Sequence, residues 1–339
     1  MDVTNVVSIR FLVSRISNQL HCWWSYALSL FGVVHVRHLP TFVSVEPANI
    51  CQLHCPECPV GMRQYAPSDT HFLSLELFER ILSEVQTTAH TMQFYFQGEP
   101  LLNKHLPEMI ARAHQVGIYT IVSTNAQTLN KEWANALVKS GLNRIIVSID
   151  GFSEESYTAY RAGGSLQKAL EGLQFMREAK EIHQSSIRIE LQVLRLRTNE
   201  HEWEWIRRNY KKLGATHLVF KTAQLYDYEH GNPFMPSNER YSRYKHMPDG
   251  TYANKKHIIL NSKFIIHHSP CYRLWSGCVI TTTGEVLPCC YDKGHHYSFG
   301  NILSLSLRDI FHSKKANNFR QHVLRSQNSR PNMCNNCDC

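Results

Sequence analysis

Between residues 41 and 221 the sequence alternates six times between a short run rich in β-branched and aromatic residues and a longer amphipathic run. The predicted strands are 41–46, 91–96, 119–123, 144–149, 187–194 and 216–221. The predicted helices begin at 75 after the N-cap Ser74 and cover 106–115, 131–139, 166–181 and 201–213. This spacing is typical of βαβ units with a parallel sheet. It fits a partial barrel or an open doubly wound sheet, and periodicity alone does not separate the two.

The eleven cysteines form tight groups along the chain. One is at position 22, three lie in 51–58, four in 271–290 and three in 334–339. An odd total in clusters fits a secreted disulfide framework poorly. The groups indicate metal or cluster ligands in a reducing compartment, so a cytoplasmic location is expected.

Composition and charge limit the function less sharply. Hydrophobic residues make up 43% of the chain, enough for a globular protein with a sizeable core. The formal net charge of +8 is compatible with an anionic substrate, a nucleic acid or an acidic membrane surface. The charge is the only feature that suggests a nucleic acid, so no nucleic-acid partner is expected.

The first 40 residues contain an apolar segment at 20–36, which His21, Ser25 and Ser29 interrupt. A membrane span requires about 20 apolar residues, so we expect no transmembrane helix. A helix that packs on the main domain is favoured. The alternative is a weak membrane-surface contact through residues 10–36. The residues that suit such an interface are Arg10, Arg15, Trp23, Trp24 and Phe31.

The cysteines at 51, 55 and 58 form a C-x3-C-x2-C motif directly after the first predicted strand. Three thiolates on a short loop can hold three irons of a 4Fe–4S cluster and leave the fourth iron open for a small chelating molecule. The alternative is a zinc site with a distant fourth ligand. Structural zinc usually uses cysteine pairs that total four ligands, so a triple is unusual for it.

The motif at Cys51, Cys55 and Cys58 resembles that of the radical S-adenosylmethionine superfamily. The resemblance implies a partial (β/α)6 TIM-like barrel. It also implies S-adenosylmethionine chelated to the open iron of a 4Fe–4S cluster, and an electron donor such as a flavodoxin or ferredoxin. Reductive cleavage of the cofactor then gives a 5′-deoxyadenosyl radical, which abstracts a hydrogen atom from the substrate.

Polar residues follow several predicted strands at their carboxyl ends, where parallel α/β folds bind ligands. The segment Gln97–Pro100 resembles the family's Gly-Gly-Glu-Pro segment, which holds the methionine ammonium. Capping of the next element is an equally good alternative for each polar residue after strands three and four. The resemblance assigns cofactor binding to Gly98, Glu99, Ser123, Asn125, Ser148 and Asp150. Arg161 either contacts a carboxylate or lies on the solvated surface. Lys221, at the end of the sixth strand, is expected to point toward the same open end of the sheet as these residues.

The carboxy-terminal cysteines include Cys271 and Cys289, with Gly284 between them, and the C-x2-C pair Cys334 and Cys337. Four thiolates suffice for a complete cluster or a zinc ion. The pattern resembles the SPASM/twitch extension of radical S-adenosylmethionine enzymes, which implies one auxiliary 4Fe–4S cluster on these four residues.

The remaining cysteines and a nearby aspartate carry weaker predictions. Cys278 or Cys290 could replace one auxiliary ligand, and a buried free thiol is expected for Cys22, Cys290 and Cys339. Asp292 follows the Cys289-Cys290 pair, where a related family places an acid/base residue, so we predict a catalytic role for it.

Together these observations predict four parts of the chain. They are an N-terminal helical extension (1–40), a radical S-adenosylmethionine partial barrel (41–224), an irregular bridge (225–263) and a small cysteine-rich cluster domain (264–339). The resemblance implies radical modification of a peptide or protein first, and oxidation of a small molecule such as a carbohydrate second. A non-catalytic protein stabilised by zinc or clusters, for binding or electron transfer, is the alternative from another class.

Overall fold

The computed structural model describes residues 3–64, 72–256, 270–324 and 330–337. Six parallel strands form its centre. They are β1 (Phe42–Val45), β2 (Thr91–Phe94), β3 (Tyr119–Thr124), β4 (Arg144–Ser148), β5 (Arg188–Arg195) and β6 (His217–Thr222). Each strand pairs in parallel with the next one along the chain. A doubly wound sheet reverses its strand order at a switch point, and these six strands do not, so their order is that of a partial barrel.

Among the described residues, seven α-helices precede or connect these strands. They are α1 (Val3–Ser29), α2 (Leu75–Val85), α3 (Leu106–Gln115), α4 (Lys131–Lys139), α5 (Glu154–Tyr160), α6 (Leu166–Ile182) and α7 (Trp203–Asn209). As predicted, α2 begins after Ser74, whose side chain accepts a hydrogen bond from the Leu77 N–H. The apolar face of α2 packs into the core through Leu77, Phe78, Ile81, Leu82 and Val85.

The rest of the chain adds a hairpin and a second group of elements. The hairpin is β7 (Tyr244–His246) with β8 (Tyr252–Asn254), within the stretch that was predicted to be irregular. The second group is α8 (Tyr272–Ser276), β9 (Gly277–Ile280), β10 (Glu285–Leu287), β11 (Gly300–Asn301), α9 (Leu307–Phe311) and α10 (Lys314–Leu324).

The second group extends the barrel sheet. β9 pairs in parallel with the free edge of β1, and β10 and β11 follow in antiparallel pairing. The sheet order is therefore β11-β10-β9-β1-β2-β3-β4-β5-β6. β1 is hydrogen-bonded on both edges, so the elements that carry the two groups of cysteines are fixed on one sheet.

Helix α1 lies beside the amino ends of the first three strands. The Arg15 guanidinium donates to the carbonyls of Gln86, Val116 and Gly117, at 2.6–3.1 Å. These carbonyls end helices α2 and α3, where a cation is favourable. The Asn18 amide donates to the Leu39 carbonyl at 2.9 Å. The expected packing of this segment on the main body is therefore observed. In the described part of the chain no helix is long and apolar enough to cross a membrane.

We expect Gly277→Ala to destabilise the protein by about 1–3 kcal/mol, the usual cost of overpacking a well-packed site. An added Cβ at 277 would lie 2.7 Å from the Phe42 carbonyl oxygen. Because β1 is paired on both edges, its backbone has no room to move away. The melting temperature of the variant measures the effect, and an unchanged value would contradict the predicted tightness of the β9–β1 contact.

Candidate functional site

The segment after β1 folds into a tight loop that presents three thiols. Cys55 is buried, and Cys51 and Cys58 are partly exposed. The Cys58 N–H donates to the Cys55 carbonyl at 3.2 Å. An added Cβ at Gly61 would lie 2.5 Å from that same carbonyl oxygen. Glycine at 61 is therefore needed for the chain to close around the three thiols.

A buried carboxylate joins the carboxyl ends of β2 and β3. Glu99 accepts hydrogen bonds from the Thr124 hydroxyl at 2.7 Å, the Asn125 N–H at 2.9 Å and the Leu101 N–H at 3.1 Å. Burial raises the pKa of Glu99, and these three donors oppose the rise. Both carboxylate oxygens are thus partnered by the protein, which fixes the loop after β2 against the end of β3.

The glycine before this carboxylate packs on the chain that leads to the cysteine loop. An added Cβ at Gly98 would lie 2.1 Å from the Ala48 carbonyl oxygen. The Glu99 N–H donates to the Ile50 carbonyl at 2.8 Å. The backbone around Gly98 is therefore held directly beside Cys51, and no larger residue fits at this position.

Asn125 links the end of β3 to the cysteine loop. Its side-chain nitrogen Nδ2 lies 3.4 Å from Cys51 Sγ, and its side-chain oxygen Oδ1 accepts a hydrogen bond from the Gln52 side chain at 3.2 Å. The same oxygen accepts from the Gln127 N–H at 3.0 Å. The orientation of the Asn125 side chain is thus determined by the loop that carries the first thiol.

The carboxylate after β4 is engaged by an arginine. Asp150 is fully buried, and one of its oxygens lies 2.6–2.7 Å from two nitrogens of Arg161. Its other oxygen accepts from the Leu194 N–H at 2.6 Å. Burial lowers the pKa of Arg161, but Asp150 and Cys55 raise it more, so the guanidinium stays charged. Arg161 also lines the same cavity as Cys55, which places it in the site and not on the solvated surface.

These elements enclose a cavity of about 200 Å³ at the carboxyl ends of β1 to β4. Five of the six predicted cofactor-binding residues line it, together with the three thiols and Arg161. Those five are Gly98, Glu99, Ser123, Asn125 and Ser148. Asp150 does not line the cavity itself. Its carboxylate is bonded to Arg161 and the Leu194 N–H, and it supports the cavity wall by holding Arg161.

The chemistry of the three thiols fits an iron–sulfur cluster. The pKa of Cys51 is raised to about 12, mainly by burial and also by the nearby Glu99, Cys55 and Cys58. Thiols in this arrangement become thiolates together only beside bound cations. Within the described residues, no group of His, Cys, Asp and Glu converges to hold a single metal ion. A 4Fe–4S cluster does not need such convergence, because each thiolate binds a different iron.

A larger cavity of about 600 Å³ adjoins the first one, and Tyr95 and Phe96 line both. It is bounded by β1, β2, β4 and β9 and reaches Cys289 and Cys290. Its charged lining residues are Arg144, Lys221, Arg273 and Lys293. Lys221 is exposed and lines this larger cavity, and not the cavity of the three thiols toward which it was expected to point. Lys293 was not recognised in the sequence, because a single lysine in a loop carries no pattern.

The predicted auxiliary cysteines form a second group. The pKa of Cys271, Cys289 and Cys334 is raised, to about 12 for Cys334. Burial is the main cause; the nearby Cys337 acts in the same direction on all three, and Cys290 does so on Cys289. Cys271 likewise raises the pKa of Cys289 and of Cys334. The four thiols are thus close enough to repel one another as thiolates, a donor set that suits a bound cluster.

The other cysteines lie elsewhere or make different contacts. Cys278 is buried on β9, and the one charged group that acts on its pKa is Arg320, so it is separate from the four thiols. Cys22 is a buried free thiol, as predicted. The same prediction was wrong for Cys290, which is partly exposed, lines the larger cavity and lies 3.3 Å from an Arg273 nitrogen. Cys339 lies outside the described residues.

The contacts of Asp292 do not favour the predicted acid/base role. It is 1% exposed, and its two oxygens accept hydrogen bonds from the N–H groups of His296 and Tyr297, both at 2.9 Å. These bonds stabilise the turn after Cys290, while the next residue, Lys293, lines the larger cavity. Asp292 therefore contributes to the site by shaping this loop.

One buried carboxyl group at the site was not recognised in the sequence. Glu46 follows β1 and is 1% exposed, and its Oε1 has no hydrogen-bond partner among the described residues. Burial raises the pKa of Glu46 to about 7, against the opposing effects of the Thr282 N–H and Lys293. A glutamate at the end of a strand gives no sequence signal, because its burial depends on β9 and β10.

Two family models match the chain. The model described as the radical SAM superfamily matches residues 45–189, and that described as an iron–sulfur cluster-binding domain, SPASM, matches residues 271–338. The first segment contains the three clustered thiols and the smaller cavity, and the second contains the four auxiliary cysteines. Together the two segments cover more than half of the sequence.

Several curated proteins are similar in sequence. PqqA peptide cyclase of Rhodopseudomonas palustris is 31% identical over 39% of this chain and 34% of its own length. GTP 3′,8-cyclase of Limosilactobacillus fermentum is 27% identical over 52% of each chain. PqqA peptide cyclase of Granulibacter bethesdensis is 24% identical over 88% of this chain and 80% of its own length. The chain thus spans about a third of the length of the first relative and about half of the length of the second.

Solved structures with a similar fold have S-adenosylmethionine bound. SuiB of Streptococcus suis aligns with a TM-score of 0.64 at 13% identity, over 88% of this chain and 72% of SuiB. The structure of anSMEcpe with bound AdoMet aligns with a TM-score of 0.62 at 17% identity, over 88% of this chain and 83% of that protein. At these identities the likeness supports the partial-barrel fold alone.

Glu46 leads to a pH-dependent prediction. Its pKa is raised from 4.5 to about 7 in the folded protein. Its contribution to the free energy of unfolding is therefore fully present below pH 4.5 and is lost as the pH rises through 7. Glu46→Gln cannot ionise, so we expect it to be more stable than the wild type at pH 8, by up to about 3 kcal/mol. The difference should shrink toward pH 5.

Melting temperatures of anaerobically purified protein between pH 5.5 and 8 measure this effect. Glu178→Gln is the matched control, because Glu178 is half exposed in an ion pair with Lys131. The control should show no such divergence from the wild type. A Glu46→Gln curve parallel to the wild type would contradict the raised pKa.

Proposed function

Because the chain belongs to the radical S-adenosylmethionine superfamily and carries a SPASM domain, we propose that it is an enzyme that modifies a peptide or protein by radical chemistry. The observation that carries this proposal is the cavity where the three thiols meet the polar ends of β2, β3 and β4. Support for a peptide substrate comes from the similarity to PqqA peptide cyclase. SuiB, which has a similar fold, has also been solved bound to its precursor peptide SuiA.

In this proposal Cys51, Cys55 and Cys58 hold a 4Fe–4S cluster. When bound, the cluster and S-adenosylmethionine supply a 5′-deoxyadenosyl radical that abstracts a hydrogen atom from substrate. Gly98 provides the open backbone beside the first thiol, since an added Cβ there would meet the Ala48 carbonyl. Glu99 lines the cavity and keeps the ends of β2 and β3 together.

The remaining cavity residues orient the cofactor in this proposal. Ser123, Asn125 and Ser148 present short polar side chains that can hydrogen-bond ribose hydroxyls or the methionyl carboxylate. Arg161 brings a positive charge to the cavity wall. Asp150 acts as a positioning residue, because its carboxylate holds the Arg161 guanidinium.

We assign the auxiliary 4Fe–4S cluster to Cys271, Cys289, Cys334 and Cys337. Its proposed role is electron transfer with the substrate radical. The larger cavity supports this role, because it extends from Tyr95 and Phe96, which it shares with the cofactor cavity, to Cys289. A substrate bound there would lie between the two cysteine groups. The same proposal includes an electron donor such as a flavodoxin or ferredoxin, a cytoplasmic location, and a membrane contact through residues 10–36.

Iron content tests the assignment of the ligands. Anaerobically reconstituted wild type should contain about eight irons per chain, as two 4Fe–4S clusters require. The variant Cys51→Ala/Cys55→Ala/Cys58→Ala should keep about four and form no 5′-deoxyadenosine with S-adenosylmethionine and dithionite. Cys271→Ala/Cys289→Ala should also keep about four.

Cys278→Ala is the matched control, because Cys278 is a buried cysteine outside both groups. It should retain the full iron content and cofactor cleavage. Loss of a cluster in this control would contradict the ligand assignment. Wild type with both clusters and no 5′-deoxyadenosine would favour a non-catalytic electron-transfer protein.

A small-molecule substrate is the second candidate, and the likeness to GTP 3′,8-cyclase favours it. An extract of the source organism separates the two candidates. The fraction that accelerates 5′-deoxyadenosine formation should lose its effect after protease treatment if the substrate is a peptide. An effect that survives protease and passes a small-pore filter would instead identify a small molecule.

A further inference from the structure

Helix α1 exposes a continuous apolar face. Along it, six large apolar side chains are each 53–63% exposed: Leu12, Val13, Ile16, Leu20, Trp23 and Trp24. Their spacing of three to four residues places them on one side of the helix. Phe31, 78% exposed, continues the apolar surface beyond the end of the helix. Isolated exposed hydrophobic residues are ordinary, but a contiguous patch of this size marks an interaction surface.

The opposite face of α1 is polar and faces the protein. Its buried residues are Arg15, Asn18, Cys22, Ser25 and Ser29. The first two are hydrogen-bonded to backbone carbonyls of the barrel, and Ser25 lies 3.1 Å from His38 Nδ1. A helix that packs on a globular domain normally buries its apolar face and exposes its polar one. Here the arrangement is reversed, and the polar contacts fix the rotation of the helix.

The charges around this face match an anionic lipid surface. From residue 3 to residue 45 the sequence has no aspartate or glutamate, and besides the buried Arg15 it has arginines at 10 and 37. Arg37 is exposed at the end of the segment. Two adjacent tryptophans are residues that prefer the boundary between lipid and water.

We propose that α1 lies flat in the interface of an anionic membrane, with Leu20, Trp23 and Trp24 in the lipid. At 1.5 Å per residue, its 27 residues form a rod about 40 Å long. The protein is thereby attached to the membrane surface without a spanning segment. This attachment is independent of the chemistry proposed for the barrel.

Sedimentation with vesicles tests the proposal. Holoprotein should co-sediment with vesicles of phosphatidylcholine and phosphatidylglycerol, and much less with phosphatidylcholine alone. Its tryptophan emission should shift to the blue on binding. We expect Leu20→Gln/Trp24→Gln to lower the apparent partition coefficient at least tenfold, because it removes two apolar groups from the lipid.

The matched control is Ile182→Gln/Trp205→Gln, which removes an equivalent pair that is 69% and 49% exposed on α6 and α7. The control should bind vesicles like the wild type. Both variants should keep the iron content and far-UV circular dichroism of the wild type, which shows that they are folded.

Three results would overturn the proposal. The first is no sedimentation with anionic vesicles, and the second is equal loss of binding in the control variant. The third is self-association of the wild type that Leu20→Gln/Trp24→Gln abolishes, without vesicle binding. That last result would instead assign the apolar face of α1 to a second copy of the chain.

Discussion

The parallel pairing of β9 with β1 is the interaction on which the arrangement of the sites depends. β1 leads directly into the loop of Cys51, and β9 and β10 lead to Cys289. Because β1 is hydrogen-bonded on both edges, the relative position of the two cysteine groups is set by backbone geometry. The larger cavity lies along this seam, reaches Cys289, and meets the cavity of the three thiols at Tyr95 and Phe96. Any chemistry that passes between the clusters depends on the register of two short strands.

A network of polar groups then fixes the cofactor cavity within the barrel. Glu99 ties β2 to β3, Asn125 ties β3 to the cysteine loop, and Asp150 holds Arg161 against Cys55. Each of these side chains already has protein partners, so the cavity wall is ordered by the fold itself. A wall of this kind loses little conformational freedom when it binds a cofactor, which favours tight and oriented binding.

The regular part of the fold could be predicted from the sequence because its signals are local. The six strands and the N-cap Ser74 follow from hydrophobic period and capping chemistry within a few residues. Helix α5 was missed because seven residues are too short to show a period, and the β7–β8 hairpin because its strands have three residues each. Burial of Glu46 and separation of Cys278 from the other cysteines depend on pairing between residues more than 200 positions apart. The contacts of Asp292 were not predicted, because its sequence position does not show that its carboxylate turns back onto the amides of its own loop.

The location of α1 has a consequence for how substrates reach the barrel. Arg15 and Asn18 hold this helix beside the amino ends of the first three strands, whereas the cysteine loop and Glu99 are at the carboxyl ends. If α1 rests on a bilayer, the open end of the barrel points away from the lipid and toward the aqueous phase. In the proposed function, a peptide substrate and a redox partner would then reach this end from the aqueous phase. The bilayer would hold the protein in place without covering the carboxyl ends of its strands.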